Sequence, residues 1–157
     1  MVERYLIVAG RIRQELADLE AVVTRAERAM SVAPRSTGPD FFLDSVALNL
    51  QHFYGGLERV FRHIAQDVDH SLPGGTEWHR DLLRQMSLAP SPVRPSVLSV
   101  ASARRLDEYL CFRHAVGHTY AFQLDVERLE RLMRHLRPLF GQVCAELVAF
   151  ADFLEQA

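Results

Sequence analysis

The chain contains no lysine: all 18 basic residues are arginines, and Asn49 is its single asparagine. We read this bias as a mark of a GC-rich genome, not as chemistry. Cysteine is scarce, with only Cys111 and Cys144 and no Cys-x-x-Cys pair, which excludes a disulfide-dense scaffold and the commonest cysteine zinc signature. Both cysteines fall among apolar neighbours in helical patterns, so they are expected to be buried free thiols in a reducing cytosol, and the protein to be cytoplasmic. No apolar run approaches the roughly 18 residues of a membrane span. The N-terminal stretch carries Glu3 and only a short apolar run, unlike a secretory signal peptide. Glycine-rich phosphate loops and the Gly-x-Ser-x-Gly turn of hydrolases are absent as well.

What is present suits an ordinary globular domain. The 157 residues are 48% hydrophobic and 24% charged, a length and balance that predict one domain over 1–157 with a core of its own. The formal charge of −2 gives no overall attraction for nucleic acid, so any RNA contact must come from a local arginine cluster.

Apolar periodicity predicts an all-α fold without a sheet, an up-down bundle of four main helices and a short one. The first helix is expected over about 3–30, with Tyr5, Ile12, Leu16, Leu19, Val23, Ala26 and Met30 on one face. Residues 33–39, with Pro34, Gly38 and Pro39, end it, and Asp40 should cap a second helix. The stripe of that helix is Leu43, Ala47, Leu50, Tyr54, Leu57, Phe61, Ile64 and Val68. After Pro73-Gly74-Gly75, Thr76 should start a short helix carrying Trp78, Leu82, Leu83 and Met86. A proline-rich loop leads to a fourth helix from about 99 to 116. Asp125 should cap the last one, which Pro138 is expected to kink.

The chemistry concentrates at the end of the fourth helix, in Arg113-His114-Ala115-Val116-Gly117-His118-Thr119-Tyr120. On a helical wheel Leu106, Tyr109, Leu110, Val116 and Tyr120 form an apolar stripe, and Arg113 falls at its centre. An arginine there needs a partner or water. The nearest candidate is Glu58, which interrupts the second helix's stripe between Leu57 and Phe61. His118 lies five residues on, about 140° round an ideal helix, but a bend at Gly117 would swing it towards the guanidinium. Histidine changes charge near neutral pH, which beside a fixed cation suits acid–base work on a phosphodiester. The bland alternative is that His114 and His118 complement the helix dipole. A metal alternative pairs the same two histidines, four apart, with His52 or His63, although no Glu follows His114 and Arg113 would repel a cation. Trp78 reads as a core aromatic with His79 a partly exposed neighbour. Arg80, Arg84, Arg94, Arg104 and Arg105 read either as a solvated face or as a phosphate-tracking groove.

Arg113, His118 and Tyr120, spaced Arg-x4-His-x-Tyr, resemble the signature of the HEPN ribonucleases. More narrowly, the chain is similar to the HepT-like toxins of prokaryotic (type VII) toxin–antitoxin pairs. Further likeness lies in His52-Phe-Tyr-Gly-Gly-Leu-Glu-Arg, in Glu77-Trp-His-Arg after the Pro-Gly-Gly turn, and in the run from Leu106 to His114. The similarity spans about residues 3–155. It departs at His114, where these toxins often carry Asn. The resemblance implies a homodimer that cleaves RNA (tRNA or mRNA) without metal or cofactor. The substrate's own 2′-hydroxyl would attack the phosphorus, with His118 moving the proton and Arg113 stabilising charge. Glu58 and His114 would support them. It also implies an MntA-like nucleotidyltransferase antitoxin that transfers AMP to Tyr120. A rival reading keeps the fold and dimer but makes the chain a non-catalytic partner of the nucleotidyltransferase.

Overall fold

A computed structural model of the chain describes residues 2–33, 41–90, 92–120 and 123–157. It contains five helices: α1 (Val2–Val32), α2 (Phe41–Asp67), α3 (Trp78–Met86), α4 (Val100–Val116) and α5 (Val126–Gln156). Among the described residues there is no strand, and no helix is long and apolar enough to cross a membrane. The all-α bundle is therefore the fold expected from periodicity. The expected cap Asp40 and most of the 33–39 break lie outside the described residues.

Cross-helix pairs fix the directions. Arg11 meets His63 and Glu15 meets Arg59, so α1 and α2 run antiparallel. Arg13 pairs with Asp152 and Glu155 while Arg137 clamps Glu20 and Glu27, so α1 and α5 are antiparallel too. These exposed pairs set register more than they stabilise, each being worth about 0–1 kcal/mol. The centre of the bundle is α2, which packs on all four other helices. It buries Leu43, Ala47, Leu50, Tyr54, Leu57, Phe61 and Ile64, the expected stripe, and adds Val46, Phe53 and Val60, because neighbours cover it on more than one side. The α1–α2 approach depends on Gly56, where an added Cβ would lie 2.6 Å from the Glu15 carboxylate and 2.8 Å from Leu19.

Two polar clusters position the region of interest. Ser99 caps α4 by accepting from the Ser102 N–H, and Glu146 of α5 accepts from the Ser99 N–H at 2.7 Å and the Ser102 hydroxyl at 2.9 Å. Further along, the Tyr109 hydroxyl donates to the Leu132 carbonyl at 2.7 Å, so α4 is tied antiparallel to α5 at two levels. Arg94 locks the loop between α3 and α4, gripping both oxygens of Asp69 at 2.6 and 2.8 Å and donating to the carbonyls of Gln85, Leu88 and Pro95. Asp125 caps α5 as expected, accepting from the N–H groups of Glu127 and Arg128, and α5 continues through Pro138.

Four expectations are corrected. The short helix starts at Trp78, not Thr76; Glu77 supplies its N-cap backbone without a side-chain bond. Trp78 is only half-buried, its ring covered by the Arg62 guanidinium at 5.2 Å. Cys111 and Cys144 are free but half-buried, because each lies at the edge of its helix's packed face. Arg94 belongs to no solvated face: its side chain is fully buried by the Asp69 pair.

Candidate functional site

The α4 wheel is legible only as far as α4 lasts. Leu106, Tyr109 and Leu110 are buried as expected, and Phe112 joins them. Val116 is half-buried, and Tyr120 is 71% exposed, off the stripe, because the helical period stops at Val116. Gly117 does not take the left-handed conformation: with φ −61° it stays right-handed. The end of the helix tightens instead, with His118 N–H donating to Ala115 and Thr119 N–H to Val116. This keeps His118 one turn beyond His114, and their rings meet edge-on at 5.1 Å. His118 thus swings against His114, not onto the Arg113 guanidinium.

Arg113 sits at the rim of the core with its side chain 35% exposed. It donates from Nη1 to Glu58 Oε1 at 2.9 Å. Glu58 is the buried member, its side chain 6% exposed, and its other oxygen is 2.7 Å from His79 Nδ1. One carboxylate of α2 therefore holds an arginine of α4 and a histidine of α3 side by side. Gly55 lies under the guanidinium, where a Cβ would make ordinary contact with its carbon at 3.9 Å. Beneath the group Tyr54 is fully buried, with no hydrogen-bond partner for its hydroxyl among the described residues; burial pushes its phenol up, and the Glu58 carboxylate adds to this.

His79, Leu110, Arg113, His114, Gly117 and His118 line one shallow pocket of about 200 Å³. The arrangement offers a fixed cation, imidazoles that reach solvent and a carboxylate that orients two of the groups. That set suits binding a phosphodiester and moving protons on it. Four of the expected residues, Arg113, His114, His118 and Glu58, are thus brought together. Tyr120 is not in the pocket lining; its backbone N–H donates to the Gln123 side chain just beyond α4.

A family model described as HepT-like protein matches residues 45–154, from early α2 to the end of α5. The chain belongs to this family. Through it the chain is a HepT-like protein of the HEPN superfamily, a group generally associated with ribonuclease toxins. No curated protein and no solved structure matches it. The site of this HepT-like chain lies wholly within the matched segment, and only α1 and the first residues of α2 precede it.

His79 is the site residue that sequence reasoning missed, having been taken as a neighbour of a core tryptophan. Its ring stacks on Trp78 at 3.5 Å and reaches Glu58. The available signal was its place in Glu77-Trp-His-Arg, one of the segments carrying the resemblance. The third ligand of the metal alternative is not delivered by His63, which faces α1 beside Arg11; burial first, then that arginine, holds its imidazole below the ordinary value. Among the described residues no three His, Cys, Asp or Glu side chains cluster as metal ligands would.

Proposed function

We propose that this HepT-like chain is the toxin of a toxin–antitoxin pair, an endoribonuclease that cleaves RNA without metal. The observation that carries the reading is the Glu58-anchored Arg113 sharing a solvent-open pocket with His114 and His118. In this scheme His118 takes the proton from a ribose 2′-hydroxyl, whose oxygen attacks the adjacent phosphorus. Arg113 binds the equatorial oxygens as charge builds on the phosphorane. The P–O5′ bond breaks, the leaving oxygen takes a proton, and the products are a 2′,3′-cyclic phosphate and a 5′-hydroxyl.

In-line cleavage needs both a base and an acid. A homodimer with its two pockets facing across a two-fold axis would supply one His118 to each role. His114 gives each protomer a second imidazole within the same pocket. Tyr120 is the proposed control point. The hydroxyl of this exposed residue would attack the α-phosphorus of ATP in a partner nucleotidyltransferase, forming a tyrosyl–AMP bond and releasing pyrophosphate. The added anion would then stand two residues from His118 and repel RNA phosphates.

The test is a folded His118→Ala protein. The reading expects it to leave RNA intact and to permit growth when expressed without the partner. Cleavage and growth arrest at the wild-type level would overturn it. Wild-type protein that leaves RNA intact and is harmless on its own would favour the non-catalytic partner instead.

A further inference from the structure

The pocket at the end of α4 does not stand alone. It shares His79, Leu110 and His114 with a second pocket of about 290 Å³, which shares Arg80 with a third of about 390 Å³. The three form one groove along the seam between α3 and α4. On α4 the lining runs through positions 100, 103, 104, 107, 110, 111 and 113–115, a broad stripe along one side of the helix, and continues past its end to 117 and 118. On α3 the lining positions are 79, 80, 83 and 84, with Ser87 just past its end.

Four arginines, Arg80, Arg84, Arg104 and Arg113, line this groove against two carboxylates, Glu77 and Asp107. Arg80 is partly offset by Asp107 at 3.4 Å. Arg84 and Arg104 are exposed and form no ion pair among the described residues. Nine residues of helix separate Arg104 from Arg113, about 14 Å at 1.5 Å per residue. That accommodates about four nucleotides at the 3.4 Å rise of a stacked strand. His79, with one ring face already stacked on Trp78, and His114 line the same stretch of the groove.

We propose that this α3–α4 groove is a track for the phosphates of a single RNA strand, with Arg84 and Arg104 as its outer contacts, leading into the Arg113–His118 pocket. The inference rests on the ribonuclease reading for the identity of the strand. An acidic protein segment would meet the same charges, but a run of arginines ending at a phosphodiester-suited pocket favours a polyphosphate chain. A global charge of −2 leaves local arginines as the source of attraction.

The test measures binding of a fluorescent 2′-O-methyl oligouridine of about 12 nucleotides, which lacks the attacking hydroxyl, as a function of salt. Arg84→Ala/Arg104→Ala should bind about tenfold more weakly at moderate salt. Its slope of log affinity against log salt should be shallower by about 1.4, from two lost phosphate contacts at about 0.7 each on a single strand. Arg25→Ala/Arg28→Ala, which removes the same charge from exposed positions of α1, should stay within about twofold of wild type with an unchanged slope. An unchanged slope in the groove variant overturns the track, as does an equal loss in both variants or tighter binding of polyglutamate than of the oligonucleotide. If wild type cleaves RNA while the groove variant binds like wild type, the track fails and the reaction stands. If wild type binds with the predicted slopes but never cleaves, the reaction fails and the track stands.

Discussion

Replacing Glu58 probes the link between packing and chemistry. Its buried carboxylate makes two charge-assisted hydrogen bonds, to Arg113 at 2.9 Å and to His79 at 2.7 Å. Such bonds are worth about 1.5–3 kcal/mol each in stability. Both donors, however, keep 35% and 37% of their side chains in water, so water recovers part of the loss. Removing the carboxylate also relieves its own desolvation. The net for Glu58→Ala is a destabilisation of about 2 kcal/mol, or about 4–8 °C in Tm for a chain of this size. Glu58→Gln keeps the shape and one acceptor for Arg113 and should cost about 1 kcal/mol. The activity loss should exceed what stability explains, because an unanchored guanidinium displaced by about 1 Å can cost on the order of 100-fold in rate. Thermal unfolding by circular dichroism, paired with RNA cleavage kinetics well below the lowered Tm, separates the two effects. The expected pattern is a fall in kcat with little change in KM, and partial rescue by Gln over Ala. Wild-type kcat in a folded Glu58→Ala protein would refute the claim that Glu58 positions Arg113.

Other expectations follow from burial and close approach. Tyr54→Phe removes a buried hydroxyl that has no partner among the described residues and should stabilise by about 1 kcal/mol, raising Tm by about 3 °C; a fall in Tm would contradict this. Gly56→Ala should destabilise by about 1–2 kcal/mol in urea unfolding, since its Cβ would collide with Glu15 and Leu19. Gly10→Ala, with nothing within 4 Å, should instead gain up to about 1 kcal/mol from helix propensity. Glu146 supplies a pH signature. Burial alone raises its carboxyl, but hydrogen bonds from Gln142, Ser99 and Ser102 outweigh burial and hold it below the ordinary carboxylate value. Its contribution is therefore complete above the unfolded value of about 4.3 and lost as pH falls through the lower folded value. Glu146→Gln should cost about 1 kcal/mol at neutral pH, and its stability curve should converge with that of wild type as pH falls through the lowered folded value of the carboxyl.

The fold was largely legible because buried faces at helical spacing carry most of the signal. The core positions from Leu43 to Ile64 on α2 are apolar apart from Asn49, Gly56 and Glu58, and those from Leu129 to Leu154 on α5 are apolar throughout. The Arg113–Glu58 pair was legible for the same reason, since each residue breaks an otherwise apolar stripe. Legibility ended where the period ended. Tyr120 follows the last helical residue of α4, so its wheel position carried no information about its exposure. Gly117 was read as a bend that would turn His118 towards Arg113, yet the helix closes by tightening. His79 and Arg94 depend on how α3 and the following loop dock against other segments, Asp69 and Glu58 among them. Such long-range pairings leave no local pattern.

The central claim is that Arg113 and His118 cleave RNA by 2′-hydroxyl attack without metal. End-group analysis of RNA incubated with the purified protein in excess chelator tests it most directly. The account predicts 2′,3′-cyclic phosphate and 5′-hydroxyl ends from wild type and uncut RNA from folded His118→Ala. Cleavage that stops on chelation, ends bearing a 5′-phosphate, or equal cutting by His118→Ala would contradict it.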